Sequence, residues 1–272
     1  MKHICTLFRE ISNKLVKLLR ENRGKEEYYR VVGRTVGGDN SRLIDLMAED
    51  YFTSEVEKLN LKAWIVGEER GLRRLVSDPE YIILVDPLDG SLNYISNIPF
   101  SSVSIAIYHY NSQFTNSIYG IVQSIFSDDT IEICQGSVLY RGAPIESYIG
   151  GENEVISIYT ENPRDLEILQ KTYRDRSLHV KKRTMGSAAL EAAYAAIGFI
   201  GGFIHLTGKL RNSDVSVALV IANKLGAKVV TEPSLRDIKI DNIQQIHRVF
   251  ISSVNSPIWS VIDELGRDQY PV

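Results

Sequence analysis

The chain has 272 residues, of which 44% are hydrophobic and 24% charged, with a formal net charge of −3. That length supports a large core in one or two domains, and the slightly acidic balance offers nothing to attract nucleic acid or an anionic membrane. A charged ligand must therefore be met by local groups. Cys5 and Cys134 are far apart and lack metal-site spacing, so neither a disulfide framework nor a zinc cluster is expected, and a reducing, cytoplasmic setting follows. The N-terminal segment lacks a signal-peptide pattern, and the most apolar stretch, 192–204, is too short to span a bilayer.

Taken in order, Ile4, Leu7, Phe8, Ile11, Leu15, Leu18 and Leu19 follow helical spacing and predict a core helix over 3–22. Residues 31–42 contain Gly33, Gly37, Gly38, Asp39 and Asn40 without a periodic apolar face, which predicts a mobile loop. A second helix is expected over 41–59, with Asp45 inside its apolar pattern, where a buried acid needs a partner. Residues 62–66 predict a strand that delivers Gly67, Glu68 and Glu69, and 70–74 read as solvated connection. The continuous run Ile82, Ile83, Leu84, Val85 suits a strand buried on both faces, stopping at Asp86. Segments 102–110, 117–124, 130–135 and 138–141 alternate between turn residues and predict an antiparallel meander. Beyond 154 the pattern changes to alternating strands (155–159, 178–183, 202–206, 227–231) and helices (163–173, 187–197, 213–225). An α+β domain over 1–150 and an α/β domain over 151–272 are expected, with the boundary near Gly150 and Gly151.

Chemistry concentrates in Asp86-Pro87-Leu88-Asp89-Gly90-Ser91. Pro87 fixes its own φ and lacks an N–H, so the chain leaves the strand rigidly and Asp89 can come round beside Asp86. Gly90 permits close backbone approach to a ligand, and Ser91 can open the next segment as an N-cap. Acids that hold hard cations beside amides that hold phosphate make a metal-dependent phosphoryl site; the same residues also suit an ordinary acidic turn. Asp214 precedes the helical pattern Val215, Val217, Ala218, Val220, Ile221. It reads either as a helix N-terminal acid or as one of a set with Asp45, Glu68, Asp86 and Asp89, each at the edge of a buried apolar run.

The ordered combination Ile44-Asp45 with Ala48-Glu49, Gly67-Glu68-Glu69, the 86–91 motif, Gly186-Ser187-Ala188-Ala189-Leu190 and Asp214 resembles the inositol monophosphatase family. That family belongs to the lithium-sensitive phosphatases with fructose-1,6-bisphosphatase, and the similarity covers nearly the whole chain. Ser91 in place of the commoner Thr, and the short Gly-rich loop before Asp45, are most similar to archaeal members that hydrolyse both inositol monophosphate and fructose bisphosphate. The resemblance implies a layered α-β-α-β-α sandwich, a homodimer, and a small sugar or inositol phosphate as substrate. It also implies Mg²⁺, two or three ions, held by Glu68, Asp86, the Leu88 carbonyl, Asp89 and Asp214. Water would attack phosphate directly, with Asp45, Ser91 and Glu68 in catalytic roles. Phosphate would rest on Asp89, Gly90 and Ser91, and substrate hydroxyls on Gly186, Ser187 and Ala188. Residues 33–40 resemble the family's mobile catalytic loop.

The chain departs from the family pattern at Ser213, where Trp is usual, and near Thr207, where animal inositol phosphatases carry a hydroxyl-binding Glu. Lys181, Lys182 and Arg183 could hold a second phosphate or form a solvated basic edge strand. His205, between Ile204 and Leu206, reads as core. Three other readings stand beside this one. A haloacid-dehalogenase-type phosphatase needs acids one residue apart, whereas Asp86 and Asp89 are two residues apart. A non-catalytic sugar-phosphate-binding module would keep the acids without activating water, and a 3′-phosphoadenosine 5′-phosphate phosphatase belongs to the same superfamily.

Overall fold

Two helices built from the amphipathic N-terminal patterns, α1 (Lys2–Asn22) and α2 (Leu43–Lys58), lie together against a large sheet. The computed structural model describes residues 2–35, 38, 40–147, 155–175, 177, 179–252 and 259. The sheet is formed by β3 (Ala63–Gly67), β4 (Gly71–Arg74), β5 (Tyr81–Asp89), β6 (Ser102–His109), β7 (Tyr119–Ser124), β8 (Thr130–Cys134), β9 (Ser137–Tyr140) and β10 (Ala143–Ile145). Its eight strands run in the order β10-β9-β8-β7-β6-β5-β3-β4. From β5 onward this is the expected meander, and β3 pairs parallel with β5.

The opposite face carries α5 (Ala188–Ile197) and α6 (Asn212–Leu225), which also cover a second sheet. That sheet contains β11 (Val155–Tyr159), β12 (Lys181–Arg183), β13 (Gly202–His205), β15 (Lys228–Glu232) and β17 (Arg248–Ser252), in the order β12-β11-β13-β17-β15. Its outer face packs Ile156, Ile158, Ile204 and Phe250 against Leu169 and Tyr173 of α4 (Pro163–Asp175). The layers are α-β-α-β-α, as the resemblance implied. One core joins Ile82 and Val122 of the first half to Phe203 and Val215 of the second. The expected boundary at Gly150 and Gly151 lies outside the described residues; we keep the 1–150 and 151–272 division as a proposal.

β5 explains why its sequence is apolar without alternation. Ile82 and Leu84 point into the core under α5 and α6, and Ile83 and Val85 into the core under α1 and α2; all four are 0% exposed. Each such burial contributes roughly 1.5–3 kcal/mol. The strand does not stop at Asp86, contrary to expectation. Asp86 pairs with Ser104 and Asp89 with Ser102, so Pro87 and Leu88 stand opposite Val103 alone. This is a β-bulge, and Pro87 fits it because a bulged position needs no ladder N–H.

Other expectations are corrected. Residues 31–42, read as a loop, contain the antiparallel hairpin β1 (Val31–Arg34) and β2 (Asn40–Arg42); residues 36, 37 and 39 lie outside the described set. The solvated connection at 70–74 is the edge strand β4, where Arg73 and Arg70 pair with Asp50. Short strands β14 (Leu210–Arg211) and β16 (Gln245–Ile246) pair with each other and, like β10 and β17, are not among the predicted strands. Leu178, the expected start of one strand, lies outside the described residues, and β12 begins at Lys181. Among the described residues no helix is long and apolar enough to cross a membrane.

The cysteine expectation is overturned. Cys5 of α1 and Cys134 of β8 are joined in a disulfide with Cα atoms 6.0 Å apart, across 129 residues of sequence. Distance along the chain hid a contact that only packing of α1 on the sheet creates, and the cysteine-based argument for a reducing compartment falls with it. Closing so long a loop restricts the unfolded chain, so reduction should lower the unfolding free energy by about 2–4 kcal/mol. Thiol titration of denatured, unreduced protein should find no free thiol; finding both cysteines free would contradict the pairing.

Candidate metal centre

Sheet register brings the first two acids together. β3 and β5 run parallel with Gly67 opposite Val85, so the residues that follow, Glu68 and Asp86, emerge side by side at one end of the sheet. Asp214 arrives from the first turn of α6, which is tied to β6 by the Ser104 hydroxyl donating to the Ser213 carbonyl at 3.1 Å. One carboxylate oxygen from each of Glu68, Asp86 and Asp214 lies within 4.8 Å of the others. Glu68 and Asp86 also border a cavity of about 300 Å³ lined by Asn40, Arg42, Asp45, Glu69, Leu88 and Ser91.

Each acid is aimed by the backbone around it. Within the bulge, Asp86 Oδ1 accepts the Leu88 N–H at 3.0 Å. Asp45 and Asp214 are set alike: each is the third residue of its helix and reaches back to the N–H of the preceding Arg, Arg42 at 3.0 Å and Arg211 at 2.8 Å. Such a reach-back satisfies an orphan helix N–H while fixing the carboxylate. Glu49 of α2, fully buried, accepts the N–H groups of Glu69 at 2.7 Å and Arg70 at 3.0 Å and so anchors the turn that presents Glu68. A Cβ at residue 67 would stand 2.4 Å from the Glu49 carboxyl carbon. Only glycine leaves that anchor room.

Asp89 lies outside the three-acid cluster at this distance. Its Oδ2 accepts the Ser187 hydroxyl, the Ala189 N–H at 3.0 Å and the Ser102 hydroxyl at 3.3 Å. The motif is thereby bound to the start of α5, whose N-cap is Ser187. Gly90, at φ 80°, caps the one-turn helix α3 (Ser91–Ile95), so Ser91 is its first residue and not the cap. A Cβ at Gly90 would approach the Gly186 carbonyl to 2.7 Å.

Burial is the main force on these acids. It raises Asp86 and Glu68 well above the usual carboxylate range, and neighbouring carboxylates raise both further. Burial likewise pushes Asp45 up to about 7, with Glu69 adding to it, and Asp89 up to about 7 against the hydrogen bond from Ser187. Among the described residues the buried cation in contact is Arg211, whose guanidinium pairs with Glu68 at 2.7 Å and reaches the Thr35 hydroxyl at 3.3 Å. Like charges this close are costly unless a cation shares them. An all-oxygen donor set of this kind suits a hard divalent ion such as Mg²⁺.

The structure thus gathers Asp45, Glu68, Asp86, Leu88 and Ser91 around one cavity, with Asp214 beside Glu68 and Asp86. Among the described residues no direct hydrogen bond joins Ser91 to Asp45. Gly186 and Ser187 stand behind the motif, on Gly90 and Asp89 respectively, and Ala188 packs against the core. Lys182 lines a different cavity, of about 500 Å³, with Tyr173, Arg174, His179 and Lys181, and the Arg183 guanidinium donates to the Lys182 carbonyl at 2.9 Å. His205 is buried and stacked on Tyr159, and burial lowers its pKa to about 3, in keeping with a core residue. Sequence reading missed Arg211 and Glu191, and named Glu49 only within the family pattern, without a role. The repeated spacing Arg42-x-x-Asp45 and Arg211-x-x-Asp214 was the available signal for the first; nothing marked Glu191, which looks like an ordinary helix residue.

The model of the inositol monophosphatase family matches residues 3–234. An inositol-1-monophosphatase of Aeropyrum pernix is 31% identical over 247 residues, covering 88% of this chain and 88% of that protein. A fructose-1,6-bisphosphatase of Pyrococcus furiosus is 30% identical over 236 residues, covering 86% and 85% respectively. A solved structure described as an inositol monophosphatase-fructose 1,6 bisphosphatase superposes with a TM-score of 0.80 at 24% identity, over 96% of this chain and 98% of that one, a likeness of fold. With the acids delivered from β3, β5 and α6 to one point and a match over most of its length, this chain belongs to the inositol monophosphatase family.

Proposed function

We propose that the protein is a Mg²⁺-dependent phosphomonoesterase that hydrolyses inositol monophosphate and fructose 1,6-bisphosphate by attack of water on phosphorus. The observation that carries this reading is the meeting of Glu68, Asp86 and Asp214 oxygens within 4.8 Å beside Asp45 and Ser91. Those three acids, with Asp89 and the Leu88 carbonyl, would hold two or three Mg²⁺ ions. When bound, Mg²⁺ supplies the charge that lowers the pKa of attacking water and offsets charge on the phosphoryl oxygens during in-line displacement.

The chain's own groups divide the remaining work. The Ser91 hydroxyl orients the water. Asp45 has one oxygen engaged by the Arg42 N–H, and its second accepts a proton; a pKa near 7 suits that role at neutral pH. Arg211, fixed against Glu68, adds a permanent positive charge beside the phosphate. The amides of Gly90 and Ser91 take phosphate oxygens, and the half-buried Gly186 and Ala188 take substrate hydroxyls, whereas the Ser187 hydroxyl stays engaged on Asp89. Lys182, which lines a separate basic cavity, and Arg183 act on a second phosphate. We take the working form to be a cytoplasmic homodimer, on family membership alone.

Phosphate release from inositol 1-phosphate and fructose 1,6-bisphosphate should require Mg²⁺, and Asp86→Asn should lower kcat by roughly 10²-fold or more. The same variant should melt no lower than the wild type without metal, because removing one carboxylate relieves repulsion. No phosphate release with Mg²⁺ supplied would refute the reading. Comparing kcat/KM for both esters and 3′-phosphoadenosine 5′-phosphate tests substrate choice. Lys182→Ala and Arg183→Ala should weaken the bisphosphate selectively, and equal losses on mono- and bisphosphate would remove the second-phosphate role.

A pH dependence also follows. Burial holds Asp45 and Glu49 up to about 7, so the folded state binds these protons more tightly than the unfolded chain. Their contribution is fully present below about pH 4 and is lost as pH rises through about 7. Metal-free protein should therefore lose melting temperature across that window, and Mg²⁺ should flatten the decline. A metal-free Tm that rises over the same range would contradict the assignment.

A further inference from the structure

Glu191, in the first turn of α5, is a carboxylate with 0% exposure that the proposed chemistry does not use. Its Oε1 accepts the Met185 N–H at 3.0 Å and its Oε2 the Gly186 N–H at 3.1 Å. The hydroxyls of Ser157 and Tyr159, both on β11, donate to the same two oxygens. Tyr159 in turn accepts the Gly186 N–H at 2.8 Å. A buried carboxylate with this many donors is satisfied. Because two of them are consecutive amides, it clasps the turn leading into α5.

The other side of that turn is held by the first half of the chain. Asn93 Nδ2 donates to the Met185 carbonyl at 2.6 Å and to the Phe100 carbonyl at 2.7 Å. A Cβ at Gly186 would lie 2.5 Å from that Nδ2, so the two segments touch without space to spare. One residue on, Ser187 places its hydroxyl on Asp89 Oδ2, and the Ala189 N–H donates there at 3.0 Å. A short rigid path therefore runs from Glu191 through residues 185–187 to the Asp89 carboxylate.

We propose that Glu191 is a positioning residue for Asp89: by clamping the 185–187 turn between β11 and Asn93, it sets the direction of the Asp89 carboxylate and with it the affinity for the divalent ion. The inference rests on the reading of Asp89 as a metal-holding residue. Glu191→Ala removes the clasp. Glu191→Gln keeps the length but turns an amide donor toward one of the two N–H groups, leaving that pair unmatched.

The test is Mg²⁺ titration by calorimetry on the full-length wild type and both variants, together with amide hydrogen exchange at residues 185 and 186 and separate kcat and KM. Mg²⁺ affinity should weaken by about 10–100-fold, more for Ala than for Gln, with faster exchange at both amides and a larger change in kcat than in KM. Tyr159→Phe, which removes one hydroxyl of the same network, should give a smaller shift and serves where the Glu191 variants fold poorly. Glu132→Gln is the control: Glu132 is a buried carboxylate of β8 paired with Arg9 and Tyr119, so its loss should lower stability while leaving Mg²⁺ affinity unchanged. Unchanged affinity in the Glu191 variants, or an equal shift in Glu132→Gln, would overturn the proposal. So would a wild type that binds no Mg²⁺. A wild type that binds Mg²⁺ but releases no phosphate would sink the phosphatase reading alone, leaving Glu191 to be judged by affinity and exchange.

Discussion

Like charges that meet in a protein interior must be held there by something stronger than their repulsion. Glu68, Asp86 and Asp214 meet because three packed elements end at one point, each committed to its direction by burial elsewhere. The parallel register of β3 and β5 is fixed by apolar side chains on both faces, and a slip of one residue would send those side chains to the wrong layer. The energy that holds the acids together is thus spent in the core and not at the site. A bound divalent cation then meets a cage already formed, which is what tight, geometrically defined coordination requires.

A second regularity is the use of carboxylates as anchors for backbone N–H groups. Asp45 and Asp214 take the amide that opens their own helix, Glu49 takes the amides of the turn after Glu68, and Glu191 those of the turn before Ser187. Turns cannot be stiffened by apolar packing alone, since their amides need partners. A buried carboxylate supplies two oxygens at a fixed spacing, and charge-assisted bonds to it are stronger than neutral ones. Gly67 follows from the same device, because a side chain there would collide with the Glu49 carboxylate, whereas Gly186 is kept small by the Asn93 amide.

The bulge in β5 shows how a sequence signal can be read correctly for chemistry and wrongly for geometry. Asp-Pro-Leu-Asp was recognisable as the place where two acids leave a buried strand, yet the strand continues to Asp89 by pairing with Ser102. The extra residue aims the Asp89 Oδ2 at the start of α5. Residues 31–42 and 70–74 were similarly mistaken, since short exposed strands carry little hydrophobic pattern and are defined by their partners.

The helices, the central meander and the identities of the clustered acids were legible from sequence alone, because periodic burial and strand-end carboxylates are local properties of the chain. Contacts between residues distant in sequence were not. Cys5 meets Cys134 only once α1 lies across the sheet; Arg211 finds Glu68 only when α6 packs beside β5; and Glu191 reaches the 185–187 turn only because β11 and Asn93 hold that turn in place. Local pattern determines what each segment becomes. Which side chains then share a buried space depends on how the layers stack, and that is decided by the tertiary structure.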